Sequence, residues 1–200
     1  MKNIFLFSCL VFVGFTTAAQ QDSVALIKNI LQFQDELNKE YKSPETSPLP
    51  KEKRAVFTQI NFFAIDLQYS VTAMFTRTPD EKVFNMPTSG NEKKVYVKYA
   101  EAAFNLLGQD YTLNVYQSIE LMQNRKYRKY LFIPFRDATS GKETYGGGRY
   151  IDLTIPDSDS VIIDFNKAYQ PYCAYTEGYN CPIPPKENYL PVKVEAGVRL

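Results

Sequence analysis

From Tyr69 onward, apolar and polar residues alternate in short runs: Tyr69, Val71, Ala73 and Phe75 interleave with Ser70, Thr72, Met74 and Thr76. A period of two puts every second side chain on one face, so the run predicts a strand with one buried side. The alternation returns in Tyr111, Leu113 and Val115, in Leu131, Ile133 and Phe135, in Ile151, Leu153 and Ile155, and in Val161, Ile163 and Phe165. Gly108-Gln109-Asp110 predicts a hairpin turn, with Phe104 and Leu106 on the incoming strand. Short strands at this spacing, with no helical pattern between them, predict a mainly β fold: an antiparallel β-sandwich or open barrel.

Upstream the period changes. Asp22-Ser23 can cap a helix whose apolar positions Val24, Ile27, Ile30, Leu31, Leu37 and Tyr41 follow three- and four-residue spacing. This single amphipathic N-terminal helix stops at Ser43-Pro44, and Pro44, Pro48 and Pro50 make the next stretch a connector that cannot be helical. Lys51-Glu52-Lys53-Arg54 reads as the solvated end of that connector. At the other end, Pro171, Pro182, Pro184, Pro185 and Pro191 surround four tyrosines, Tyr169, Tyr172, Tyr175 and Tyr179, in a loop that cannot pair as a sheet interior. The tyrosines read as apolar filler for this loop. Val192 to Val198 predicts a last strand that rejoins the sheet.

The extreme N-terminus is a targeting pattern: Lys2, an apolar run from Ile4 to Phe15, then Thr17-Ala18-Ala19 before polar Gln20-Gln21-Asp22. The chain therefore divides into a signal peptide at 1–19, the helix and proline-rich connector at 20–50, and a single mainly-β domain at 51–200. Cys9 sits too early in the apolar run for a lipoprotein box. Processing predicts a periplasmic or secreted protein with no transmembrane segment in its mature chain. It also removes Lys2, so the 23 basic residues fall by one and match the 22 acidic ones. A charge near zero argues against nucleic acid as a partner.

Two cysteines remain, Cys173 and Cys181. An even pair in an oxidising compartment reads first as a disulfide, which would contribute about 2–3 kcal/mol if unstrained. A zinc site is a poor rival, since two cysteines are half a tetrahedral shell and the chain has no histidine. That absence also removes Ser-His-Asp and Cys-His catalysis. Acid–base work would fall to carboxylates: Asp137, Glu143, Asp152, Asp164 and Glu187 lie near glycine, proline or strand ends. No metal and no cofactor is expected. Ser140-Gly141-Lys142 is not a phosphate loop, because Arg136 stands where its first glycine is required and Glu143 follows the lysine. Gly146-Gly147-Gly148 lacks the strand-to-helix setting of a dinucleotide fingerprint and reads as a tight or bulged turn at a strand start.

These same stretches carry a family resemblance. Leu113-Asn114-Val115-Tyr116, Phe132-Ile133-Pro134-Phe135-Arg136-Asp137 and Glu143-Thr144-Tyr145-Gly146-Gly147-Gly148-Arg149-Tyr150-Ile151-Asp152-Leu153 resemble, in order, the bacterial domain-of-unknown-function family numbered 1684, in its short exported form. The match continues through Asp164-Phe165-Asn166-Lys167-Ala168-Tyr169, Pro171-Tyr172-Cys173-Ala174-Tyr175, Cys181-Pro182-Ile183-Pro184-Pro185, Glu187-Asn188 and Ala196-Gly197. Asn61-Phe62-Phe63-Ala64-Ile65-Asp66 and Tyr69-Ser70-Val71 extend it upstream. The resemblance implies no activity and gives no residue a catalytic role. Related sequences without an obvious export signal also carry the cysteine pair, so a metal-bound or reduced pair stays open beside the disulfide.

The reading that follows is a binding or structural module of the cell envelope. Its expected ligand is a small molecule or glycan, received where Arg136, Asp137, Glu143, Tyr145, Gly146, Gly147, Gly148, Arg149, Asp164 and Asn166 converge with the Cys173–Cys181 loop. A histidine-free hydrolase that uses a carboxylate pair on a glycan is the alternative. A metal or redox site at the cysteines ranks below it.

Overall fold

A computed structural model describes residues 16–200, with side chains from Gln21 onward. Cys9 and most of the expected signal peptide lie outside the described residues.

Helix α1 spans Thr16–Lys42. It does not begin at the expected Asp22-Ser23 cap, because Ala18 to Gln21 are good helix formers and their carbonyls supply the acceptors a cap would otherwise replace. Its inward stripe also differs from the expected one. Ile30 and Tyr41 are buried and Leu26, Phe33 and Leu37 half-buried, at steps of four, three, four and four, whereas Val24, Ile27 and Leu31 face outward. The prolines end it where expected. Lys51-Glu52-Lys53-Arg54, expected as linker, forms one turn of helix α2 (Lys51–Ala55), tied to the tyrosine loop by Lys53 Nζ donating to the Tyr175 carbonyl at 3.1 Å.

The strands are β1 (Ser70–Arg77), β2 (Phe84–Met86), β3 (Lys94–Leu106), β4 (Gln109–Ser118), β5 (Tyr130–Asp137), β6 (Arg149–Thr154), β7 (Ser160–Asp164) and β8 (Tyr189–Leu190). They form one mainly antiparallel sheet in the order β6-β5-β4-β3-β1-β7, with β2 paired to β3 and β8 lying parallel on β5. The hairpin between β3 and β4 turns one residue earlier than expected, at Leu107 and Gly108, both at positive φ, with Leu106 facing Gln109. Two consecutive positive-φ residues are what a type I′ hairpin requires.

The two edge strands β6 and β7 are consecutive in sequence, and only Ile155 to Asp159 separate them. Laid flat, the edges of this sheet would stand about 24 Å apart at ~4.8 Å per strand. The chain from Thr154 to Ser160 reaches about 21 Å at most. The sheet therefore curls into a half-barrel, the open barrel of the two expected forms. Leu26 and Asn29 of α1 line a gap with Ile151 and Leu153 of β6 and Ile162 of β7, so the helix lies over the open seam.

Leu131, Ile133 and Phe135 of β5 point into the main core with Ala73, Phe75, Leu113, Val115 and Ile163, all 5% exposed or less. Each such residue contributes about 1.5–3 kcal/mol on burial. Phe132 points the other way and joins Met86, Tyr96, Tyr116 and Tyr150 in an aromatic layer on the outer face. Strand β5 is therefore covered on both sides. It pairs with β4 only at Tyr116 and Phe132, and Pro134 has no N–H to extend the ladder. Buried Asn188 takes over there: its Oδ1 accepts from Asn114 N at 2.8 Å, and its Nδ2 donates to the carbonyls of Asn114 and Pro134 at 2.9 and 2.8 Å.

The expected C-terminal strand from Val192 to Val198 does not form. Among the described residues, backbone bonds hold it only at Val192 O, Gly197 O and Val198 N, and side chains serve the rest: Arg149 donates to the carbonyls of Val194 (2.8 Å), Ala196 and Val198 (3.4 Å), and Asp137 Oδ2 accepts from Val194 N at 2.8 Å. Arg149 and Asp137 are fully buried and pair at 3.3 Å. Removing either partner of such a pair strands a charge in the core, and removing Arg149 also leaves three carbonyls without their donor. Arg149→Met should therefore cost about 3–5 kcal/mol in urea unfolding. The double variant Asp137→Leu with Arg149→Met should recover only part of that loss, because the carbonyls stay unpaired.

Candidate functional site

The residues expected to form a site do not meet in one cleft. Asp137 and Arg149 are the buried pair described above, and Thr139 Oγ1, itself buried, donates to Asp137 at 2.8 and 2.9 Å. Glu143 pairs with Lys193 at 2.5 Å on the surface, which holds its carboxyl below the ordinary range. Asp164 and Asn166 lie elsewhere, at the turn after β7. Asp164 Oδ1 accepts from the backbone and side chain of Asn166, whose amide in turn accepts from Asp66 N at 3.0 Å and donates to Asp66 O at 2.9 Å.

The glycine triplet is a turn into β6, as its pattern predicts. Gly148 has φ +92°, and a Cβ there would stand 2.6 Å from the Phe135 carbonyl and 2.7 Å from the Pro184 ring. The Tyr145 ring covers Gly147 and leaves no room for a side chain, Gly146 is exposed beside Gly141, and Tyr145 O accepts from Gly148 N at 3.0 Å. Arg136 packs its stem on Gly148 and is half-buried. The polar density that marks this stretch is the wiring of the C-terminal segment.

A cleft of about 470 Å³ opens instead on the outer face of the sheet. One wall is α1, through Phe33, Leu37 and Glu40. The floor is Tyr150 and Asp152 of β6. The far wall is the proline- and tyrosine-rich loop, through Tyr169, Tyr172, Tyr179, Asn180 and Pro182, with Lys94 of β3 at the rim. Period-two alternation turns Tyr150 and Asp152 outward while Ile151 enters the core. The loop is fastened to β6 by paired backbone hydrogen bonds between Tyr150 and Tyr169 (2.8 and 3.0 Å), to the Pro87–Ser89 segment by Ile183 N to Pro87 O (2.8 Å) and Ser89 N to Cys181 O (2.9 Å), and internally by the Cys173–Cys181 disulfide. Among the described residues no cluster of three or more metal-ligating side chains occurs.

Asp152 is the chemical centre of the cleft. Tyr130 and Tyr169 both donate to its Oδ1, at 2.7 and 2.8 Å, and Oδ2 has no protein donor among the described residues. Burial by the surrounding rings and helix pushes its carboxyl up; the two tyrosine hydrogen bonds pull it down, and the charge of Glu40 adds to the rise. Asp152 is itself exposed, and its free side opens onto the cleft. Glu40 is arranged similarly, with Tyr172 donating to its Oε1. The tyrosines are firmly neutral donors: burial lifts Tyr130, Tyr150, Tyr169 and Tyr172 well above the usual phenol range.

Sequence reasoning marks Asp152 only as one acid among five and takes the loop tyrosines for filler. Tyr175 is filler, edge-on to Tyr41 at 4.9 Å, but Tyr169 and Tyr172 position carboxylates. Glu40, Phe33 and Lys94 carry no local signal, because only the fold brings the helix, the start of β3 and the loop together.

The fold has a counterpart among solved structures. The solution NMR structure of an uncharacterised protein of Haloarcula marismortui is 32% identical, covers 90% of this chain and 97% of its own, and superimposes with a TM-score of 0.71. No curated protein matches the chain. No helix among the described residues is long and apolar enough to cross a membrane. The profile of a family described as a protein of unknown function, DUF1684, matches residues 55–199, and the chain belongs to that family.

Proposed function

We propose that this protein is an exported binding module whose cleft takes a saccharide. The observation that carries the reading is Asp152, held by two tyrosines through one oxygen so that the other is an acceptor facing a cavity walled by aromatic rings. Rigid rings offer flat apolar faces to the C–H side of a sugar, and a few convergent acceptors and donors orient its hydroxyls. Lys94 and the Asn180 amide supply the donors. The volume suits one to a few sugar units, within the ~300–1,000 Å³ of small-ligand sites.

Export is supported by the N-terminal targeting pattern and by the disulfide that braces the cleft wall. The protein recovered from the exporting cell should begin at Gln20, which intact-mass spectrometry reads directly. A mass for the chain from Met1 would remove the export reading.

A second reading is hydrolysis of the bound glycan. Glu40 and Asp152 share the cleft, and the upward-shifted Asp152 is suited to donate a proton to a leaving group. Product release from a glycan panel separates the two: turnover that Asp152→Asn abolishes supports hydrolysis, and its absence in the wild type eliminates it.

For binding itself, calorimetry against the same panel should give at least one saccharide ligand. Asp152→Ala should weaken it about tenfold or more, since a hydrogen bond to a charged group contributes ~1.5–3 kcal/mol. Tyr179→Ala, which removes a half-exposed wall, should weaken it less. A panel with no binder refutes the saccharide reading.

A further inference from the structure

We infer that the saccharide received by this cleft carries a protonated amine on its ring. The inference rests on the saccharide reading above and deepens it. Glu40 and Asp152 reach the cleft from α1 and β6, and each has one oxygen taken by tyrosine hydroxyls and a second without a protein donor among the described residues. The remaining ionisable group of the lining that bears positive charge is Lys94, which has no hydrogen-bond or ion-pair partner among the described residues. Two carboxylates against one ammonium leave the cleft one cation short.

That shortage has a direction. A neutral sugar sealed over Asp152 would strip water from a carboxylate whose only donors are two phenols on one oxygen, and an unpaired charge in a desolvated site is costly. A ring ammonium repairs this by standing between the two free carboxylate oxygens, where it donates to both. The rings of Tyr172 and Tyr179, packed edge-to-face at 5.1 Å, add the negative faces that attract a cation. The hydroxyls of the same sugar then meet Lys94 Nζ and Asn180 Nδ2, while the Asn180 amide oxygen is engaged separately, accepting from Glu92 N at 3.3 Å. A purely apolar organic cation would satisfy the carboxylates and leave Lys94 and Asn180 without acceptors. An amino sugar satisfies both sets.

The probes are D-glucosamine, N-acetyl-D-glucosamine and D-glucose, titrated by calorimetry into the mature, disulfide-bonded protein at a pH where glucosamine is protonated. Glucosamine should bind at least about tenfold more tightly than the other two, which keep the ring and lose the charge. Asp152→Asn and Glu40→Gln should each reduce that preference at least about fivefold. Glu40 is half-buried on α1, away from the sheet strands, and glutamine keeps its size, so its variant keeps the test valid if Asp152→Asn fails to fold. Equal binding of all three sugars overturns the charge requirement and leaves the saccharide reading standing. Binding of none overturns both.

Discussion

Arg149 sits in the core with no solvent exposure, and the C-terminal segment is arranged around it. Burial works against its charge, and Asp137 works for it through both proximity and a hydrogen bond. The pair alone would be a doubtful investment of desolvation. It persists because the guanidinium, with five N–H groups in a fixed fork, also satisfies three successive alternate carbonyls at Val194, Ala196 and Val198 that no strand reaches. Asp137 completes the arrangement by accepting Val194 N. A charged side chain here takes the place of a β-strand.

Asn188 and Asn166 follow the same logic. Each is buried, and each presents one amide that accepts from and donates to the backbone of a single residue, Asn114 in one case and Asp66 in the other. Curling a sheet so that its edge strands are joined by five residues pulls some backbone out of register, and every buried N–H and C=O so freed needs a partner. Four side chains provide it: Arg149, Asp137, Asn188 and Asn166. The motif-rich second half of the chain is thus largely structural, and the candidate site sits beside it, where α1 covers the curled sheet.

The strands were legible because alternation is local: five runs of period two mark β1, β4, β5, β6 and β7. The same rule failed at Val192–Val198, where Val192, Val194, Ala196 and Val198 alternate as a strand does but the last three pair with Arg149, a residue far away in sequence. Helix α1 was legible in type and in its end at Pro44, and misread in face, because Val24, Ile27 and Leu31 are as apolar as the residues that turn inward. The cleft was the least legible part. Its floor follows from alternation once Ile151 is known to be internal, but Glu40 and Asp152 are more than a hundred residues apart, and only the docking of α1 brings them together.

The acceptors of Arg149 lie 45, 47 and 49 residues after it. A chain made from its N-terminus at about 5–20 residues per second therefore carries a guanidinium without these three acceptors for several seconds. During that interval Asp137, at the end of β5, is the one partner already made, and the guanidinium N–H groups that face Val194, Ala196 and Val198 have no acceptors there, so the core is unfinished. Completion of this core therefore waits on residues 194–198, however early the strands they serve are made.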